Sequence, residues 1–404
     1  MTIDVATPPV PGGRVRIKQI NVDLNGKKTE YPRKLAQISG GNTHESDMVK
    51  GELDVATPSE YYLELTPSTI SNIVNDGRAH QKMKDQIQRN ISKAQKATVS
   101  IYIRLKDEKD DNRQLLPFPR PSDPILAKIF DLVDLDGVDV INLPIRSDSA
   151  INWMNKGLEV FLTRKPDFLG EYKLSGYIPN MVTDATAQAM VEKYVKSGID
   201  CLTFDFGGHS IPTSMIRGIA DDTVGRERWG EMYIHGVNVP HYDSRTWTKP
   251  VSGEYDLLMG IYGFDSFTNM RYSPGGGPTE DEKIPFKIRN QRYSMVESYG
   301  MYNKEGLEAL SQTHDISCPC PICRSMDPLD LYENALADPS PKALKAGLER
   351  LRGNMKTHRQ YHAHLECLKL HDIIRKEAYV DYLDEKRQAT NEINSMVHDQ
   401  SKGK

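Results

Sequence analysis

The feature that most constrains the fold is a regular alternation of short strand-like runs and amphipathic segments that starts near residue 98. The strand-like runs read VSIYIRL, DVINLP, VFLT, LSGYIPNM, IDCLTFDFGG, MYIHGVNVP and DLLMGIYGFDSF. Strands that are apolar along most of their length are typical of a parallel sheet covered on both faces. In a chain of 404 residues this pattern predicts a closed (β/α)₈ TIM barrel in preference to an open parallel sheet.

One unit of the alternation contains recognisable helix-capping residues. The helix-like segment TDATAQAMVEKYVKSG lies between the strand-like runs LSGYIPNM and IDCLTFDFGG. Thr183 is the predicted N-cap and Gly198 the predicted C-cap, because hydroxyl side chains accept from free helical N–H groups and glycine tolerates the left-handed conformation. The sequence therefore predicts strand, helix, strand in this order.

Composition excludes several classes of protein. The chain has 52 basic and 56 acidic residues, a net charge of -4, so any contact with nucleic acid must be a local patch. The N-terminus MTIDVATPPVPGG lacks a basic region followed by an apolar stretch, and no long apolar run is present. G-x-G-x-x-G and Walker A motifs are also missing from the sequence. We therefore expect a cytoplasmic protein, in the host cytoplasm if its origin is viral.

Three of the five cysteines fall within six positions, at Cys318, Cys320 and Cys323. This spacing places three thiolates within reach of one tetrahedral metal ion, for which zinc is the usual choice. The stretch 357–371, THRQYHAHLECLKLH, offers histidines for a fourth ligand on a predicted helix. The alternative is a solvated histidine-rich helix beside three unrelated cysteines. Cys201 is expected to be a small core residue.

Polar residues that follow strand-like runs are the candidates for chemistry, because barrel active sites lie at the carboxyl ends of the strands. These residues are Asn180, Asp205, Gly207, Gly208, His209, His235, Asn238 and Asp265. Asp265 follows an apolar run, so its carboxylate is expected at the barrel mouth as a nucleophile or base. A helix N-cap or a loop ion pair is the alternative for this residue. Gly207 and Gly208 would either allow a planar ligand to approach the backbone or simply form a turn.

The expected organisation has four parts. An N-terminal segment covers 1–60, the barrel 61–300, a zinc-binding subdomain 301–375 and a helical tail 376–404. The stretch SPGGGPTEDEKIPFKIRNQR is predicted to be a long exposed loop. Its basic part, Lys283 to Arg292, is either a contact to a nucleic-acid backbone or a solvated surface.

The motifs in combination resemble the tRNA-guanine transglycosylase superfamily. The string Gly263-Phe264-Asp265-Ser266 precedes the triple cysteine and the histidine-bearing helix, as in that family. Gly207 follows Asn180 by 27 positions, as the family's Gly-Gly strand end follows a guanine-contacting glutamine. The resemblance covers about residues 174–375.

The resemblance implies a base exchange in which an aspartate attacks C1′ of a guanosine, guanine leaves and a 7-deazaguanine such as preQ0 or preQ1 takes its place. Asp265 matches the nucleophile, and a neighbouring carboxylate is what an oxocarbenium-like transition state requires. Asn180, Gly207 and Gly208 match the base-binding positions, and Asp205 is grouped with them. The family usually has Gln where this chain has Asn180, which shortens the amide arm.

Two family features depart from the usual pattern. The D-S-G-G-F-Q motif that carries a second catalytic aspartate is missing; Asp76 in NDGRAHQ is the first choice for that role and Asp148 in RSDSA the second. The zinc histidine comes later than in the family, so His358 is the expected fourth ligand, with His362 one helical turn away as the alternative.

The sequence shows no RNA-binding appendage of the kind found in archaeal tRNA enzymes. Together with the lost motif and the change at Asn180, this favours insertion of a preQ0-type base into DNA, with a tRNA enzyme as the alternative. The other alternative is a catalytically inactive, zinc-bearing paralogue that serves as a nucleic-acid-binding or dimer subunit. We also expect a structural Zn²⁺ and a homodimer formed through the zinc module. The predicted contacts to the nucleic-acid backbone are Lys283, Lys287 and Arg289.

Overall fold

The strands and helices are taken from a computed structural model. It describes residues 2–7, 18–38, 57–94, 97–168, 170–209, 213–241, 249–270, 281–324 and 326–376, except 25, 255, 261, 296 and 298, together with Tyr382 and Lys386. The strands are β1 (Thr2–Thr7), β2 (Gln19–Leu24), β3 (Lys27–Tyr31), β4 (Arg33–Lys34), β5 (Ala36–Ile38), β6 (Ser59–Leu65), β7 (Val99–Leu105), β8 (Val140–Asn142), β9 (Lys173–Ile178), β10 (Cys201–Asp205), β11 (Tyr233–Val239), β12 (Val251–Gly253), β13 (Ser266–Asn269), β14 (Tyr293–Met295) and β15 (Gly300–Tyr302). The α-helices are α1 (Pro67–Asn75), α2 (Gly77–Ile91), α3 (Asp123–Val133), α4 (Ala150–Arg164), α5 (Asp184–Lys196), α6 (Thr213–Gly218), α7 (Arg226–Glu231), α8 (Ile284–Arg289), α9 (Lys304–Ser311), α10 (Pro328–Leu336) and α11 (Pro341–Arg375).

Nine of these strands form one parallel sheet that closes into a barrel. Their order is β4-β13-β11-β10-β9-β8-β7-β6-β5. Only Leu35 separates β4 from β5, and its N–H donates to the Phe267 carbonyl of β13 over 2.9 Å. The next N–H, of Ala36, donates to the Pro58 carbonyl before β6 over 2.9 Å. β4 and β5 thus act as one strand between β13 and β6, and the predicted (β/α)₈ barrel is confirmed.

The barrel begins earlier than the sequence indicates. Its first strand, β4 with β5, lies inside the stretch 1–60, which we assigned to a separate N-terminal segment. The antiparallel sheet β1-β2-β3 precedes it. Ile20, Val22 and Tyr31 of this sheet share a core cluster with Val140, Cys201 and Tyr233, the first residues of three barrel strands. The small sheet therefore covers the amino-terminal end of the barrel.

The interior of the barrel is polar on the β6, β11 and β13 side. His235 Nε2 lies 2.7 Å from Glu60, whose other oxygen accepts from Thr268 over 2.8 Å. His235 Nδ1 lies 2.6 Å from Ser266 Oγ. All four side chains are buried, so these mutual hydrogen bonds offset their desolvation.

The region after the barrel has its own core. Ile284, Ile288 and Tyr293 pack with Leu344 and Leu348 of α11, around the three clustered cysteines. The prediction of a loop is therefore wrong for residues 284–289, which form α8. Two isoleucines four residues apart give this helix a buried face. Residues 273–280 of that predicted loop lie outside the described residues.

Helix α11 joins this second core to the barrel through buried charges. Arg359 donates to Glu254 over 2.6 Å and pairs with Asp256, which also accepts from Asn269 of β13 over 2.7 Å. Lys34 of β4 lies 3.4 Å from Asp256. Removing one member would leave a remaining charge buried with one partner fewer. Among the described helices, none is both long and apolar enough to cross a membrane.

Candidate metal centre and active site

The three clustered cysteines and a histidine form a compact site beside α11. The Nδ1 atom of His358 lies 3.2 Å from Cys323 Sγ, 3.6 Å from Cys320 Sγ and 3.8 Å from Cys318 Sγ. All four residues are buried, and their ligand atoms lie within 4.8 Å of one another. The predicted grouping of these four residues is therefore confirmed as a site compatible with a metal ion.

The surroundings orient His358 for coordination. Its Nε2 donates to the Ser294 carbonyl over 3.0 Å, which leaves Nδ1 facing the sulfurs. The Tyr293 ring stacks on the imidazole with 4.4 Å between centroids. Hydrogen bonds from the Cys320 and Cys323 thiols lower the pKa of Cys318. Three thiolates this close repel one another, so the fully ionised set needs a cation between them.

The alternative ligand His362 lies at the edge of the same site. Its Nε2 is 3.3 Å from Cys318 Sγ, and its ring centroid is 4.4 Å from that of His358. It is less buried than His358. The close four-atom group contains His358, so the structure favours the first choice.

Asp265 does not lie at the mouth of the barrel. The apolar run before it forms a 3-10 helix, Asp256–Gly260, and the strand β13 begins only after Asp265. Its N–H donates to the Ile234 carbonyl at the start of β11, and its carbonyl accepts from Arg33 N at the start of β4. The expectation of a barrel-mouth Asp265 is therefore wrong, because the residue precedes its strand and lies at the amino-terminal end.

There Asp265 forms a buried ion pair with Lys18. The two side chains are 2.8 Å apart and at most 1% exposed. Lys18 also donates to the Trp229 and Met232 carbonyls, over 2.9 and 2.5 Å. Burial raises the pKa of Asp265 to about 6, against the opposing effect of Lys18, and burial lowers the pKa of Lys18. This geometry is that of a structural pair that closes the base of the barrel.

The carboxylate at the mouth is Asp205, the last residue of β10. Its Oδ2 accepts from the Tyr177 hydroxyl over 2.5 Å and from the Tyr102 hydroxyl over 3.1 Å. Its Oδ1 accepts from Gly207 N over 2.7 Å and from Asn238 Nδ2 over 2.8 Å. Four donors fix the position of this carboxylate at the carboxyl ends of the strands.

Asn180, Gly207 and Gly208 lie beside Asp205, as predicted. A Cβ on Gly207 would lie 1.8 Å from Asn180 Nδ2, so the side-chain amide of Asn180 is in contact with the backbone of Gly207. Gly207 and Gly208 have φ of 56° and 80°, a conformation that favours glycine. A Cβ on Gly208 would lie 2.4 Å from the Met270 sulfur. Both the turn and the close approach therefore require glycine here.

The candidates for a second catalytic aspartate share no hydrogen-bond partner with Asp205. Asp76 is exposed, and its Oδ1 caps α2 by accepting from Arg78 N over 2.8 Å. Asp148 is exposed in a groove of about 850 Å³ and pairs with Arg146. The groove is also lined by Phe118, Arg120, Trp153 and Lys156. Asp76 is thus a helix cap, and neither residue lies with Asp205.

The analysis of the sequence missed Tyr102 and Tyr177. Both lie inside strand-like runs, where an aromatic residue is expected to be core. The signal was the alternation of Ser100, Tyr102 and Arg104 in VSIYIRL, which places polar side chains on one face of a buried strand. Asn238, named among the residues that follow strands, has φ of 53° and reaches Asp205.

Comparisons with known proteins identify no family for this chain. No family model matches the chain, and no curated protein does. Similar solved structures include the carboxyl transferase domain of Rhizobium etli pyruvate carboxylase, with 10% identity, a TM-score of 0.36 and coverage of 82% of this chain and 48% of that one. Others are a Bacillus subtilis HMG-CoA lyase (10%, 0.34, 81% and 95%) and a putative Burkholderia cenocepacia phosphonomutase (13%, 0.28, 53% and 79%).

This chain spans about half the length of the carboxyl transferase structure. Similarity at these identities and TM-scores carries no inference about activity. The barrel assignment rests on the strand pairing within this chain itself.

Proposed function

We propose that the chain is an enzyme, a glycosyltransferase that exchanges guanine for a 7-deazaguanine base in DNA, and that the exchange takes place at the mouth around Asp205. The observation that carries this proposal is the contact of the Asn180 amide with Gly207 beside a buried, fixed carboxylate. An amide and a glycine backbone present donors and acceptors to a purine edge. The carboxylate lies where barrel enzymes hold their reacting groups.

Asp205 replaces Asp265 as the reacting carboxylate in this proposal. As the bond from C1′ to N9 breaks, its electron pair leaves with guanine, and the negative charge of Asp205 stabilises the oxocarbenium-like sugar. An oxygen of Asp205 then bonds to C1′. The incoming base attacks C1′ through N9 and displaces the carboxylate. Guanine takes up one proton and the incoming base gives one up, so the exchange is balanced.

The test offers labelled preQ0 to the purified chain with duplex DNA, single-stranded DNA and tRNA in parallel. We expect incorporation into DNA, and more into single strands, because extruding a base from a duplex costs a few kcal/mol. Incorporation confined to tRNA would refute DNA as the substrate and retain the transglycosylase. No incorporation into any polymer would refute base exchange.

A second candidate is a barrel that binds nucleic acid without catalysis. It is favoured by the burial of Asp265, the residue that matches the family's nucleophile, in an ion pair with Lys18. This candidate predicts binding of DNA or tRNA with no label transfer, which the same assay detects.

We also propose that the cysteine and histidine site holds one structural zinc ion. A set of three sulfurs and one nitrogen is typical of closed, tetrahedral zinc sites. The site lies inside the second core, so its ligands come together only when this region is folded. Metal binding would therefore supply folding energy to this region.

We expect purified protein to contain one zinc ion per chain and Cys320→Ser to lose it, with a clear fall in the melting temperature. The hydroxyl is a poor zinc ligand, and apparent binding energies of structural sites are about 10–16 kcal/mol. Cys367→Ser is the matched control, because Cys367 is a buried cysteine on α11, the helix of His358, but lies outside the site. Metal analysis without zinc in the unchanged chain, or equal zinc in Cys320→Ser, would contradict the assignment.

A further inference from the structure

The tyrosines that hold Asp205 continue as an aromatic row to the rim of the mouth. Tyr62 of β6 pairs in register with Tyr102 of β7, and their ring centroids are 5.2 Å apart. The Tyr102 and Tyr177 centroids are 5.7 Å apart. Alternate residues of a strand share a face, so Arg104, two positions after Tyr102, points to the same interior side at the rim. The row therefore connects a buried carboxylate to an arginine.

Arg104 is held in place while its side chain stays 45% exposed. Its Nη1 donates to the Tyr62 hydroxyl over 2.8 Å, and that hydroxyl donates to Glu64 over 3.2 Å. Lys106 binds the other oxygen of Glu64 over 2.9 Å, whereas Arg104 is 3.7 Å from this carboxylate. The rim group of Arg104, Lys106 and Glu64 therefore has one positive charge in excess.

We propose that Arg104, oriented by Tyr62, binds a phosphate of the nucleotide whose base reaches Asp205. The inference rests on the proposed function and adds a specificity-determining residue to it. The planar guanidinium matches phosphate oxygens in a bidentate geometry. Two residues along a strand span about 6.6 Å, which suits the step from a nucleobase to its phosphate. The tyrosine row offers rings for base and sugar packing.

The rim contacts have little structural role, so variants there should fold. Ion pairs this exposed contribute little to stability. Arg120 is a matched control, because it is an exposed arginine in the groove that contains Asp148 and its loss changes the net charge equally.

The test measures calorimetric binding of 2′-deoxyguanosine and of 5′-dGMP to the full chain, Arg104→Gln, Tyr62→Phe and Arg120→Gln. We expect the unchanged chain to bind dGMP about tenfold or more tightly than deoxyguanosine, as charge-assisted hydrogen bonds predict. The preference should vanish in Arg104→Gln and fall in Tyr62→Phe, which loses the orienting oxygen. It should persist in Arg120→Gln.

Equal affinities in the unchanged chain, no measurable dGMP binding, or a preference that survives Arg104→Gln would each overturn the phosphate site. A preference that depends on Arg104, in a chain that exchanges no base, would sustain the phosphate site and refute the proposed function. Base exchange with an unchanged KM for the oligonucleotide in Arg104→Gln would sustain the proposed function and refute the phosphate site.

Discussion

Asp265→Asn is expected to destabilise the chain by about 3–5 kcal/mol while base exchange per folded molecule is retained. The amide still accepts from Ile234 N, where the carboxylate now accepts over 2.7 Å, but it leaves the Lys18 ammonium buried without a counter-charge. The measurement is denaturant unfolding beside the labelled preQ0 assay. If Asp265 were the nucleophile, exchange would vanish with stability little changed, and the two outcomes are readily distinguished.

The partner variants make this test sharper. The double variant Lys18→Met with Asp265→Asn removes the isolated charge, so we expect it to recover most of the lost stability. Lys18→Met alone leaves a buried carboxylate whose pKa, already about 6, rises further. Because the pKa of Asp265 is then higher in the folded state than in the unfolded state, the folded state is favoured when this carboxyl group is protonated. The loss of stability caused by Lys18→Met should therefore be complete at a pH above the raised pKa of Asp265. It should diminish as the pH falls towards 4, below which the carboxyl group is protonated in both the folded and the unfolded state. A penalty independent of pH would contradict the ion pair.

The parts of the fold that the sequence predicts are those with apolar strands and marked helix ends. Thr183 does cap α5, accepting from Thr186 N, and Gly198 follows the helix with φ of 75°. Here the strands β9 and β10 are buried along nearly their whole length, so the apolar run and the strand coincide.

The errors have a common physical origin in the polar interior of the barrel. In β13, Ser266 and Thr268 bind His235 and Glu60, so the strand carries no apolar run that a pattern could detect. The apolar residues before it were taken for the strand, which moved Asp265 from the start of a strand to its end. VFLT was likewise taken for a strand but continues α4, because a short apolar run fits a buried helix face equally well.

The site shows the same division between local and distant information. The spacing of Cys318, Cys320 and Cys323 is local, and it predicts the metal site together with His358. The partners of Asp205 come from β7, β9 and β11, and only the closed barrel brings Tyr102, Tyr177 and Asn238 together. No spacing in one sequence encodes this set.

Asp205→Asn is expected to lower base exchange by about 10³-fold or more, with the fold retained. The new side chain can keep its oxygen towards the donors Gly207 N and Asn238 Nδ2, while the tyrosine hydroxyls rotate to accept from its amide. The variant therefore keeps the packing but loses the charge that stabilises an oxocarbenium-like sugar and the oxygen that captures it.

Tyr177→Phe is the graded control for this variant. It removes one of the two hydroxyl donors to Oδ2 and keeps the carboxylate, so exchange should fall by about tenfold, the effect of one lost hydrogen bond to a charged group. Thermal unfolding of both variants should stay close to that of the unchanged chain. Full exchange in Asp205→Asn would remove Asp205 from the chemistry. Because Asp265→Asn tests the other carboxylate in the same assay, the pair of variants decides which end of the barrel carries the reaction.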